Sequence, residues 1–222
     1  MDMRQAIRFL ITWTRIPHIH SVLLVVVLLG SQSASLSGQT PEPVRAIREL
    51  REGTLVIRFP AYKPKIDTLT AMSARAKDPK QKARIDKQLQ QAIGERDTLF
   101  AQYTEAFRTK YHFSEVAYYF DYDGRDLNKA NYYHLDGHRL AVADLSEKPL
   151  YYAFFDRTEE NKMDALVIYN RFLQKVPRPF PNDFTRGGIN VLFIGISDKK
   201  FPTWRVDRMN KRLFAYWETY KE

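Results

Sequence analysis

Phe100-Ala101-Gln102-Tyr103-Thr104-Glu105-Ala106-Phe107-Arg108-Thr109-Lys110-Tyr111-His112-Phe113-Ser114-Glu115-Val116-Ala117-Tyr118-Tyr119-Phe120-Asp121 is the stretch that decides the fold class. Up to Tyr111 its large apolar residues recur every three or four positions, the period of a helix with one buried stripe. From Phe113 the period becomes two. Val116, Tyr118 and Phe120 share one side of a strand, while Glu115, Ala117, Tyr119 and Asp121 share a side expected to face water. A long helix that hands over to a strand in this way needs helix-on-sheet packing.

Toward the N-terminus the helical stripe continues through Ile93, Leu89 and Ile85 to Asp78-Pro79, an N-cap followed by the helical position that takes proline without loss. Ile66, Leu69 and Met72 mark a shorter helix before it, so the two read as a helical hairpin. Val44, Ile47 and Leu50 mark another helix, ended by Gly53 in an expected left-handed conformation, and Thr54 to Phe59 reads as a strand. Toward the C-terminus, Asp136-Gly137 joins Tyr132–Leu135 to His138–Val142 as a β-hairpin. Leu150–Phe155 and Ala165–Tyr169 are near-continuous apolar runs that fit strands covered on both faces. Val191–Ile196 is a further apolar segment, and Val206, Met209, Leu213, Phe214 and Trp217 place a terminal helix.

The sum is a single α+β domain over residues 39–222, a mixed β-sheet carrying a long helical hairpin and a C-terminal helix. The element order loosely resembles a thioredoxin-like outline, with Pro149 before Leu150 where that fold has its proline. The redox cysteines of that fold are absent, so the resemblance implies no oxidoreductase activity.

The first 38 residues read differently. Arg4, Arg8 and Arg15 precede the apolar run Val22–Leu29, and Ser31 to Ser35 are small, the three parts of an export signal. The run is far shorter than the roughly 20 residues that cross a bilayer. Cleavage after Ser35 or after Gly38 is expected. The alternative is an uncleaved anchor beginning near Phe9, which Arg15, Pro17, His18 and His20 interrupt. The chain has no cysteine, which excludes a lipoprotein, disulfides, thiolate catalysis and Cys-based metal sites. The expected location is the envelope: periplasm, cell surface or medium.

Three arginines and one aspartate lie in the signal, so its removal takes the formal charge from +9 to +7. Outside the cytosol such a balance points to an acidic protein, acidic glycans or lipid headgroups rather than to nucleic acid. The cations concentrate. Lys63, Lys65, Arg75, Lys77, Lys80, Lys82, Arg84 and Lys87 stand against Asp67, Asp78 and Asp86 around the break between the hairpin helices. No interleaved aromatics accompany them, which argues against a single-stranded nucleic-acid groove.

Chemistry is sparse. The polar residues that offer a metal or hydrolase-type site are Asp121, Asp123, His134 and His138. A two-residue Asp136-Gly137 loop, the form that Asp-Gly favours, sends the two imidazoles to opposite faces. A three-residue loop with left-handed Gly137 would set them face to face. No third ligand is placed by spacing, and no metal or cofactor is expected. Tyr119, Tyr133 and Tyr151, one from each Tyr-Tyr pair, are the candidates for an outward aromatic surface that would suit a glycan. The leading expectation is a non-catalytic exported accessory protein. It would bind an envelope protein or another anionic surface, with peripheral membrane contact, through Lys77, Lys80, Lys82 and Arg84. The competing expectations are the hydrolase and the glycan module.

Overall fold

The computed structural model describes residues 40–121, 127, 130–185 and 200–221. The segment expected to be an export signal, Asp123 and Val191–Ile196 lie outside the described residues.

From Glu42 onward the chain is one compact unit. Helix α1 (Glu42–Glu52) leads into β1 (Thr54–Phe59), and a helical hairpin, α2 (Lys63–Arg75) and α3 (Pro79–Lys110), leads to β2 (Glu115–Phe120). A small hairpin, β3 (Tyr132–His134) and β4 (Arg139–Leu140), is followed by the short helix α4 (Val142–Ser146). Then come β5 (Leu150–Arg157), β6 (Asp164–Asn170), β7 (Asp183–Thr185) and helix α5 (Phe201–Tyr220). The seven strands form one mixed sheet in the order β4-β3-β2-β1-β5-β6-β7. β1 lies at its centre, parallel to both β2 and β5, and the other pairs are antiparallel. This is the α+β architecture that the change of period implies.

Burial explains the layers. One face, carrying Leu55, Ile57, Phe59, Tyr118, Tyr151, Ala153, Leu166 and Ile168, is covered by α1, by the second half of α3 and by α5. Arg51 closes the seam at one end. Its guanidinium stands over Phe113, Phe214 and Trp217 at 5.2 to 5.4 Å and donates to the carbonyls of His112 and Phe113. Arg48 donates to the Tyr220 carbonyl at 2.6 Å, tying α1 to the end of α5.

The opposite face is dry where water was expected. Ala117 and Tyr119 are 1% and 2% exposed, packed with Val56, Tyr132 and Tyr152 under Leu127, Ala130 and Leu145. Gly53 also departs from expectation: it is not left-handed. It is glycine because an added Cβ would lie 2.2 Å from the Pro149 carbonyl oxygen. The second strand of the small hairpin stops at Leu140, and Val142 begins α4 instead.

Candidate binding surface on the helical hairpin

The hairpin is built by local signals. Asp78 accepts from the backbone N–H groups of Lys80 and Gln81 at 3.2 Å, Pro79 occupies the first turn, and the connection is Ala76-Lys77-Asp78. α2 and α3 pack on each other, with Ile85 and Ala92 buried and Ile66, Leu69 and Leu89 half-buried. Ser73 is the buried polar residue between them. Its hydroxyl donates to Asp86 and accepts from Lys82 Nζ at 2.9 Å, while Lys82 also meets Asp86 at 3.1 Å. That lock holds the Asp86 carboxyl below the usual aspartate value, the Ser73 hydrogen bond first and Lys82 second.

α3 contributes to the main core only from Leu99 and Phe100 onward. Its first turns therefore depend on α2. At 1.5 Å per residue the 32-residue helix is about 48 Å long, roughly twice the length of the strands it crosses.

Three of the eight cations are spoken for: Lys63 by Asp67 at 2.8 Å, Lys65 by Glu95 at 3.6 Å, and Lys82 by the lock. The other five, Arg75, Lys77, Lys80, Arg84 and Lys87, are exposed and form no ion pair among the described residues. Lys80, Arg84 and Lys87 fall on one face at helical spacing, with no acid in the first turn of α3. Positive charge at a helix N-terminus opposes the macrodipole, and like charges four apart repel. This ridge is locally unfavourable to the helix that carries it, and such conflict concentrates at functional surfaces.

The sequence candidates separate accordingly. Lys77, Lys80 and Arg84 lie on the open ridge. Lys82 does not, because it is turned into the lock; Lys87, absent from the expected surface, takes its place. The tyrosines do not form a platform. Tyr119 and Tyr151 are 2% and 3% exposed, on opposite faces of the sheet, and the Tyr151 hydroxyl donates to Glu49 at 2.8 Å. Burial pushes the Tyr119 phenol up to about 12. Tyr133 is half-buried, stacked on Tyr118 at 5.4 Å.

The small hairpin takes the form that Asp-Gly does not favour. Tyr132 pairs with Leu140 and Tyr133 with Arg139, so His134 and His138 face each other across a three-residue loop with Gly137 at φ 90°. The His134 N–H donates to the His138 carbonyl at 2.8 Å. The register is set by burial: Tyr132 and Leu140 both turn to the second core, and a one-residue slip would expose them. Asp121 is elsewhere. It lies four residues beyond Ala117, the partner of His134, and accepts from the Ala61 N–H at 2.7 Å with Arg58 at 3.8 Å. Among the described residues no three His, Asp or Glu side chains are grouped to hold a metal ion.

A cleft of about 1040 Å³ at the carboxyl ends of β1 and β5 escaped the sequence reading. Tyr62, Gly94, Glu95, Phe155, Arg157 and Arg205 line it. Its one legible sign is Gly94, a mid-helix glycine with nothing within 4 Å of where its Cβ would lie.

No protein-family model, no curated protein and no solved structure matches this chain.

Proposed function

We propose that this protein is an exported, non-catalytic accessory protein of the cell envelope that binds an acidic partner surface through the ridge Arg75, Lys77, Lys80, Arg84 and Lys87. The observation that carries the reading is the set of five exposed cations that form no ion pair among the described residues, carried on two helices packed on each other. Electrostatic complementarity of this kind steers encounter and fixes orientation. The basic lead and short apolar run before Ser31 support export. The large two-faced core, which needs no disulfide, supports a body able to fold outside the cytosol.

The test is isolation of the tagged full chain from its native membranes at rising ionic strength. A partner retained at low salt and released within a Debye-screened range supports the reading. Retention that is indifferent to salt contradicts it.

A further inference from the structure

The cationic ridge leads into the large cleft. α3 is unbroken from Pro79 to Lys110, and Lys80, Arg84 and Lys87 are followed on the same face by Gln91, Glu95 and Thr98, each three or four residues further on. Gln91, Glu95 and Thr98 line the cleft of about 1040 Å³. Gln91 also lines a groove of about 660 Å³ between α2 and α3, together with Lys65 and Gln88. Ridge, groove and cleft therefore make one track, about 27 Å from Lys80 to Thr98 at 1.5 Å per residue.

Topology places the cleft. β1 and β5 are parallel neighbours, and the chain leaves them in opposite directions, toward β2 and toward β6. Such a reversal opens a crevice outside the carboxyl ends of the strands. Gly94 leaves its α3 wall open, with nothing within 4 Å of where a Cβ would lie. Tyr62 is held beside it at φ 51°, a left-handed conformation that is strained for a bulky residue, and such strain gathers where ligands are gripped. Tyr62, Phe155 and Phe201, all half-buried, give the cleft aromatic walls.

Charge changes sign along the track. The ridge is cationic, whereas the cleft sets the carboxylates of Glu95, Asp156 and Asp164 against Arg157 and Arg205. Glu95 meets Lys65 of the neighbouring groove at 3.6 Å, and Asp164 meets Arg157 at 3.7 Å. Arg205 is buried, over the Phe201 ring at 4.3 Å, and donates to the Asp164 carbonyl at 3.3 Å. A peptide acidic along its whole length would set its own carboxylates against those of the cleft. A chain of acidic sugars fits both ends. Its hydroxyls donate to carboxylates and amides, its C–H faces pack on aromatic rings, and its acid groups are drawn to the ridge.

We propose that the acidic partner is a glycan strand lying along this face of α3, with its charged sugars on the ridge and its end in the cleft against Tyr62. The inference rests on the ridge reading and names the chemistry of its partner, and the experiment separates the two.

Calorimetry on the full chain measures binding of galacturonate and mannuronate hexamers and of a chondroitin sulfate hexasaccharide, beside hexaglutamate and uncharged maltohexaose. At least one acidic glycan is expected to bind tenfold or more tightly than both hexaglutamate and maltohexaose. Gly94→Phe gives its ring the cleft to occupy, and is expected to weaken that binding tenfold or more at an unchanged thermal midpoint. Tyr62→Gly is a second cleft variant with the same expected loss, since glycine takes φ 51° without strain. The ridge variant Lys80→Gln, Arg84→Gln, Lys87→Gln is expected to weaken binding and to flatten its salt dependence. Hexaglutamate binding as tightly as the best glycan makes the partner a peptide, which overturns the inference and leaves the ridge reading standing. A glycan that needs the ridge but is indifferent to both cleft variants does the same. Failure of all three acidic glycans to bind, or maltohexaose binding as tightly as they do, also overturns the inference. Indifference of every acidic ligand to the ridge variant removes the ridge reading and the inference together.

Discussion

Gly53 and Pro149 meet backbone to backbone, with the Thr54 N–H donating to the Pro149 carbonyl at 2.9 Å and no room for a Cβ between the chains. This contact joins the end of α1 to the start of β5. Gly53→Ala is expected to cost at least about 2 kcal/mol, because the obstruction is backbone and cannot rotate away. Gly94→Ala is expected to do the reverse and stabilise by about 0.5–1 kcal/mol, since it meets nothing and removes a mid-helix glycine. Urea denaturation of both variants checks the pair. Equal effects would contradict the account of either glycine.

Arg51 joins three elements through a planar group, stacking among Phe113, Phe214 and Trp217 while donating to two carbonyls. A lysine cannot reproduce that fork. Arg51→Ala is expected to lose about 2–3 kcal/mol, and Arg51→Lys to recover less than half of it. Thermal unfolding of the two variants is the measurement, and full rescue by lysine would contradict the geometry.

The Ser73–Asp86–Lys82 lock predicts a pH response confined to acid. Asp86 is held below its usual pKa in the folded protein, by the Ser73 hydrogen bond foremost. Its contribution is therefore complete above the unfolded-state value and is lost as pH falls through the lower folded value. Neutral pH leaves the hairpin closed. Ser73→Ala is expected to move the Asp86 titration back toward the ordinary aspartate range, read by carboxyl-carbon NMR. An unmoved titration would show that Ser73 does not hold the carboxylate.

Long elements were legible in the sequence because they repeat. Ile85 to Tyr111 and Val206 to Trp217 carry enough periods to declare helices, and Asp78-Pro79 marks a helix start, while Thr54 to Phe59 and Leu150 to Phe155 are legible as short apolar runs of strand composition. Short elements carry no period: α4 has five residues and β7 three. Tyr119 was expected in water because its cover, Leu127 and Ala130 from the connection after β2 and Leu145 from α4, lies beyond what alternation along β2 can register. The loop at Gly137 went against its Asp-Gly preference because burying Tyr132 opposite Leu140 outweighs a local turn preference. The cation cluster was visible as composition. Which five of the eight are open depends on where Asp67, Glu95 and the buried Ser73 lie, and that is tertiary information.

The central claim is that these open cations, rather than the positive charge of the whole molecule, make the binding surface. Two triple variants with the same net charge separate the two: Lys80→Gln, Arg84→Gln, Lys87→Gln on the ridge, and Lys110→Gln, Lys162→Gln, Lys211→Gln away from it. Both are assayed in the full chain for capture of the partner from native membranes. Loss of capture by about tenfold or more in the ridge variant alone, equivalent to at least ~1.4 kcal/mol, is the predicted result. Equal weakening in both variants would contradict it.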